Sequence, residues 1–263
     1  MVFGKSYYLI HLLNKKIKIT AEPISGTRTM HDRSIILIPT LNEKENLEKL
    51  IPAIFGLMPD ISVLVVDDNS NDGTQELVEG LRQNYNNLFI LKRLEDFGYG
   101  RSSIDGLKWV LDKNYEFLVT MDADFSHDFN IVPALLKDLD NYDISIGSRY
   151  VQGGGVKNWS FFRQILSRFA NFYVKIILGF PVMDATTGFN AYRADVLRKI
   201  NLDEISSDGY AFLVELKYRL IKAGCSAVEY PILFSERREG QSKMSSKIIW
   251  EAVWLPWRLK IKS

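Results

Sequence analysis

The sequence predicts an α/β protein built on a doubly wound, mostly parallel sheet. Three observations predict it. Short apolar runs alternate with helical periods from residue 34 to residue 148. The runs show no polar alternation, as expected of strands covered on both faces. Several of them end abruptly in acidic or small polar residues, and in such sheets ligands bind beyond the carboxyl ends of the strands.

The elements follow in order. "SIILIP" (34–39) is a buried strand, and "NEKENLEKLIPAIFGL" (42–57) has helical periodicity. "ISVLVVDD" (61–68) is the second strand, with a helix from about Asp72. "NLFILKR" (87–93), a helix from about Tyr99 to Lys113, and "YEFLVTMD" (115–122) continue the alternation. A helix near 130–139 and the strand "YDISIGS" (142–148) complete it. Short strands alternating with helices imply parallel βα units. This arrangement puts Asp67–Asp68, Asp122–Asp124 and Gly147–Arg149 on one rim.

The second half reads differently. A glycine-rich loop, "QGGGVKNW", precedes an aromatic-rich amphipathic segment from Trp159 to Phe180. "MDATTGFNAYR" is rich in turn residues, "GYAFLVELKYRLIKAG" reads as a helix and "SAVEYPILF" as a strand. "SERREGQSKMS" is a polar, basic loop that suits a closing lid. In "KIIWEAVWLPWRLKIKS", Trp250, Trp254 and Trp257 share a face of an amphipathic C-terminal helix that Pro256 should kink or end. Core packing and an interfacial membrane surface are both open for these tryptophans. The domain reading is an appendage or linker over 1–33, the main domain over 34–246, and a basic, Trp-rich segment over 247–263 with a possible membrane-facing role.

Composition excludes several classes. The 263 residues are 25% charged and 46% hydrophobic with a net charge of +1, so neither disorder nor bulk attraction to nucleic acid is expected. Cys225 is the lone cysteine, which rules out an internal disulfide. His11, His31 and His127 are too scattered for a zinc site. A bilayer span needs about 20 apolar residues. The best stretch, 159–182, is interrupted by Arg163, Arg168 and Lys175, and "YYLIHLL" is too short for a signal peptide.

The chemistry concentrates in "LVTMDADFSHD" (118–128). Asp122 and Asp124, two apart in extended chain, point the same way and repel each other. A hard cation such as Mg²⁺ or Mn²⁺ resolves the conflict, with substrate phosphates completing its shell. Helix capping accounts for one of these carboxylates but not for the pair. In "VVDDNSNDGT", Asp68 suits a base or ribose contact, whereas Asp72 reads as a structural cap. "FGYGRSSIDG" lacks the third glycine of a dinucleotide fingerprint and reads as a tight turn. Arg149, Arg163, Arg237, Arg238 and Lys243 are candidate phosphate cations. His127 and Asp128 read as structural, and so do Asp184, Asp208 and Glu215, as loop turns and a paired or solvated helix face.

"IPTLNEKENL", "VVDDNSNDGT", "MDADFSHD", "IGSRYVQGGGVKNW", "RQILSRFAN" and "FSERREGQSKMS" occur in that order. Together they resemble the polyprenol-phosphate (dolichol-phosphate) mannose synthases of glycosyltransferase family 2, from about Ser34 to about Ser246, and the last loop looks especially like bacterial members. The resemblance implies a GT-A fold with an acceptor-side elaboration. It implies inverting transfer of mannose from GDP-mannose to a polyprenyl phosphate at the cytoplasmic face of a membrane. By the same resemblance Pro39, Leu41, Glu43, Val66 and Asp68 hold the nucleoside. Asp122, Ala123 and Asp124 serve metal and diphosphate, with Ser126 at most a weak ligand. Arg237 touches the donor phosphates beside Lys243, and Arg149, Arg163 and Ser167 meet the acceptor phosphate. Asp124, Arg237 and Lys243 are the residues expected to carry catalysis. Some relatives span the membrane or rely on a partner that does. Leu41 stands where an aromatic ring is frequent, and Ser126 where some members have glutamine. The competing readings are a related transferase using UDP-glucose or UDP-N-acetylhexosamine, an NAD-dependent oxidoreductase, and a non-catalytic nucleotide-binding module.

Overall fold

The structure is a computed structural model that describes residues 30–235 and 246–262; for 246–252 and 262 only the backbone is described. The expected alternation is present. It comprises β1 (Ser34–Thr40), α1 (Lys44–Leu57), β2 (Ser62–Asp67), α2 (Thr74–Leu81), β3 (Leu88–Lys92), α3 (Tyr99–Asp112), β4 (Phe117–Thr120), α4 (Val132–Asp138) and β5 (Ile144–Ser148). Alternate residues of β1 explain the double winding. Ile35 and Leu37 face a core shared with α3, whereas Ile36 and Ile38 face a core shared with α1 and α4. All four are fully buried.

The second half supplies β6 (Gly155–Val156), α5 (Phe161–Leu178), β7 (Asn190–Arg193), α6 (Gly209–Lys222), β8 (Ala227–Pro231), β9 (Leu233–Phe234) and α7 (Ser246–Lys262). The main sheet has the order β3-β2-β1-β4-β7-β5-β8. β7 runs antiparallel to both β4 and β5, and it separates two strands read as neighbours of one parallel run. It lies inside the stretch read as turns. Phe189, Asn190, Ala191 and Tyr192 are buried there, so the short strand is held by tertiary pairing rather than by its own periodicity.

"SAVEYPILF" also divides. β8 pairs with β5, while β9 pairs with β6 in a separate two-stranded ribbon. The strand breaks at Ile232, whose amide donates to the Ser148 carbonyl. α7 continues through Pro256 instead of ending there. Its Leu255 and Leu259 join the core beneath α6, whereas Trp254 and Trp257 are exposed. Core packing therefore does not account for those two tryptophans.

α5 is inverted relative to an ordinary surface helix. Phe161, Ile165, Phe169, Phe172 and Ile176 recur every three or four residues and are all exposed. Among its buried residues are Asn171, Val174 and Ile177. Tyr173 ties α5 to α7 by donating to the Val253 carbonyl at 2.8 Å and accepting from Trp257 Nε1 at 2.9 Å. No helix among the described residues is long and apolar enough to cross a membrane.

Candidate active site

β1, β2, β4 and β5 share one direction relative to the sheet, so their carboxyl ends form one rim. β4 delivers Met121 and then the aspartate pair. Asp124 is buried at 3% exposure, and its Oδ1 accepts from the Ser126 amide at 3.1 Å. The Asp122 side chain keeps 26% exposure and receives a long 3.5 Å contact from the Tyr99 hydroxyl. His127 Nδ1 accepts from the Asp122 amide at 3.1 Å, with its ring stacked on Phe189. Burial lowers the His127 pKa against the pull of Asp122 and Asp124, which keeps a neutral acceptor at that nitrogen. Phe125 holds a left-handed φ of 59°, a strained setting for an aromatic residue that recurs at ligand sites.

Three carboxylate, histidine or cysteine side chains nowhere cluster into a metal cage among the described residues. The residues still fit a hard divalent cation, since Mg²⁺ usually takes only one or two protein carboxylates. Ser126 adds a specific sign: its Oγ is buried with no hydrogen-bond partner, an acceptor left open beside Asp124.

Asp68 is more engaged than sequence suggests. Its carboxylate pairs with buried Arg93 and accepts from the Gly98 amide at 2.8 Å. Arg93 in turn reaches Asp105 at 2.7 Å. Asp72 is structural as expected, accepting from the amides of Lys44 and Thr74. Pro39, Leu41 and Glu43 lie at the end of β1, and Leu41 is exposed. Val66 is fully buried within β2, between β1 and β3, and its carbonyl accepts from Thr40 Oγ1 at 3.3 Å. Ala123 is buried between the two aspartates. In "FGYG", Gly98 precedes α3 as its N-cap and Tyr99 and Gly100 open the helix; Gly100 is required there because a Cβ would lie 2.7 Å from the Ser207 carbonyl. Its amide donates to Asp208, which also caps α6.

The three residues assigned to the acceptor phosphate do come together. Arg149 is 6% exposed and grips Asp184 with Nε at 2.7 Å and Nη2 at 2.6 Å. Nη2 also donates to Thr186 Oγ1 at 2.7 Å. Burial opposes the Arg149 charge, but Asp184 more than offsets it and raises the pKa. The guanidinium stands 5.3–5.5 Å from the rings of Tyr150, Trp159 and Phe234. Arg163 covers the other ring contact of Trp159 at 4.1 Å, and Tyr150 donates to Ser167 Oγ at 2.7 Å. Asp184 therefore is an ion-pair partner and not a mere turn residue. Glu215 is buried and paired with Arg219 and Arg258. Arg237, Arg238 and Lys243 lie outside the described residues.

A carboxylate pair and an arginine–aromatic cluster thus lie on one rim of a doubly wound sheet. The chain belongs to glycosyl transferase family 2, whose match covers residues 35–201. Within it, the chain is 42% identical to a polyprenol monophosphomannose synthase of Mycolicibacterium smegmatis over 84% of each chain. It is 42% identical to an undecaprenyl-phosphate mannosyltransferase of Micrococcus luteus, over 84% of this chain and 91% of that one. A dolichol-phosphate mannosyltransferase of Pyrococcus furiosus is 36% identical over 82% of this chain and 60% of its own length. These relatives set the chain among the polyprenol-phosphate mannose synthases. The fold matches glucosyl-3-phosphoglycerate synthase from Mycobacterium tuberculosis, solved with Mn²⁺, UDP and phosphoglyceric acid. That match has a TM-score of 0.62 at 15% identity, over 86% of this chain and 81% of that one, and bears on the fold alone.

Proposed function

We propose that this protein transfers mannose from GDP-mannose to a polyprenyl monophosphate, with inversion, while resting on the cytoplasmic face of a membrane. The observation that carries the reading is the placement of Asp122 and Asp124 on the same rim as the Arg149–Trp159–Arg163 cluster, beside an exposed apolar helix. The names of the relatives supply the class of donor sugar and acceptor lipid.

Asp122 and Asp124 would hold Mg²⁺ or Mn²⁺, with Ser126 Oγ as a further oxygen. The cation would neutralise charge that develops on the leaving diphosphate. We assign the nucleoside end of the donor to Pro39, Leu41, Glu43, Val66 and Asp68, at and just beyond the carboxyl ends of β1 and β2. Ala123 lies buried beneath the diphosphate end. We assign Arg237 and Lys243 to the same phosphates, as preorganised positive charge.

A phosphate oxygen of the acceptor attacks the anomeric carbon, the bond from that carbon to the diphosphate oxygen breaks, and GDP leaves. A phosphate monoester with a second pKa near 6 is already largely dianionic at neutral pH, so no general base is required. It needs orientation. Arg163 and Ser167 are half-buried at the mouth of the cluster, and Arg149 is fixed behind them by Asp184. The exposed rings of α5 and Trp254 and Trp257 of α7 suit an interfacial surface, with Arg168 and Lys175 for anionic head groups.

The test is a panel of sugar nucleotides with polyprenyl phosphate and Mg²⁺ or Mn²⁺, with lipid products read by mass spectrometry. Lipid-linked mannose from GDP-mannose alone is the expected result. Product only from UDP-glucose or UDP-N-acetylhexosamine would transfer the reading to that donor, and tight NAD binding with no product would end it.

A further inference from the structure

Lys217 has no part in the chemistry described above, yet it is a fully buried lysine in the middle of α6. Its Nζ donates to the Thr187 carbonyl at 2.8 Å. Thr187 belongs to the short segment 184–188, which touches both halves of the site. At one end Asp184 and Thr186 hold the Arg149 guanidinium. At the other end Gly188 lies against Tyr99 and Asp122, because a Cβ there would sit 2.9 Å from the Tyr99 hydroxyl and 3.6 Å from Asp122 Oδ1. Thr120 Oγ1 clamps the Gly188 carbonyl at 2.7 Å. Glu229 fixes the start of the segment through the amides of Met183 and Asp184, at 2.8 and 3.0 Å.

We propose that Lys217 is a positioning residue: by holding the Thr187 carbonyl from within α6, it sets the spacing between the acceptor-side Arg149–Asp184 pair and the donor-side Asp122 carboxylate. The inference rests on the functional reading above and adds a residue to it. A charged side chain with no access to water is costly to bury and would be replaced by an apolar one if volume were its only duty. Among the described residues its acceptor is a carbonyl in the span that joins the two sides, so the cost falls on a single backbone point. Transfer needs the phosphate oxygen and the anomeric carbon in near-attack geometry. A displacement of about 1 Å in such a frame costs on the order of 100-fold in rate.

Lys217→Met keeps the volume and removes the donor. Asn190 Nδ2 still reaches the Thr187 carbonyl at 3.1 Å, so that oxygen retains a partner and the variant is expected to fold. Lys217→Gln, which keeps a donor, is measured beside it and serves alone if Lys217→Met does not fold. Two readouts apply to the full chain. In hydrogen–deuterium exchange, residues 184–190 should exchange faster in the variant while β1 and β2 are unchanged. In the transfer assay, kcat should fall by about 10- to 100-fold with the donor KM within about threefold, and Lys217→Gln should lie between Lys217→Met and wild type. Unchanged exchange at 184–190, or a kcat within about twofold of wild type, overturns the proposal. Wild-type protein that makes no lipid-linked sugar from any donor defeats the functional reading instead, and the exchange result then decides the role of Lys217.

Discussion

At the scale of single residues, the aspartate pair was legible and its supports were not. Two carboxylates at a strand end announce themselves in sequence, but the acceptor for the Asp122 amide, His127 Nδ1, depends on how the following turn folds. Asp124→Ala is expected to abolish transfer while leaving the circular dichroism spectrum unchanged; undiminished activity would remove the metal assignment. Arg149 reads in sequence as a candidate phosphate cation, but its tie to Asp184, 35 positions away, has no local signal. Removing one partner of such a buried pair costs about 3–5 kcal/mol. Asp184→Ala should therefore lower the free energy of unfolding by about that amount in urea titrations. Lys217 did carry a signal. It falls four residues after Leu213 and three before Leu220, on the buried side of α6, so a charge stood on an apolar face. Burial lowers its pKa from the ordinary 10.5 to about 7, modulated by Asp184, Arg149 and Glu229. Below pH 7 the folded and unfolded chains are both protonated there, and the folded one bears the cost of a buried charge. Between about pH 7 and 10.5 the folded chain has released a proton that the unfolded chain keeps, so stability should rise with pH across that window. Lys217→Met should flatten the rise in denaturation curves taken from pH 7 to 10.

At the scale of elements, strands β1–β4 were legible because each is built on an apolar run between turn signals, and β5 because Ile144 and Ile146 stand between turns. β7 was not, because its four residues, "NAYR", take their burial from neighbours on both sides. α5 was recognised as amphipathic, but sequence could not say which side faces out. Its outward rings make a specific prediction. Phe169→Ser with Phe172→Ser should weaken binding to anionic vesicles, read by flotation, by about 100-fold or more, given roughly 1.5–3 kcal/mol for burying each such side chain. The same pair should change unfolding in solution by no more than about 0.5 kcal/mol each, since both are exposed. Equal flotation of variant and wild type would sink the docking role of α5. For α7, point changes at Trp254 are a cleaner probe than deleting 247–263, because deletion also strips Leu255 and Leu259 from the core.

At the scale of the whole molecule, class and family followed from the order of motifs along the chain, and the sheet confirmed the α/β frame. What sequence left open was how the two halves meet. The antiparallel β7 answers this, since entering the sheet in reverse obliges the chain to turn at the ligand rim. That turn is the 184–188 segment, so the Arg149 cluster and Asp122 share one piece of backbone. Gly188→Ala is expected to lower kcat while sparing overall stability, because the added Cβ would press on the Tyr99 hydroxyl, which contacts Asp122 Oδ1 at 3.5 Å. Thermal unfolding beside steady-state assays would check it.

If α5 docks on a lipid surface as proposed, its outward rings have a further consequence. A body that floats with one helix sunk in a lipid surface keeps only sliding and spinning as free motions. Its phosphate pocket then rides at a fixed height above the oil. Immersion depth becomes a selector of its own, admitting acceptors whose head groups stand at that height and passing over those that sit higher or lower.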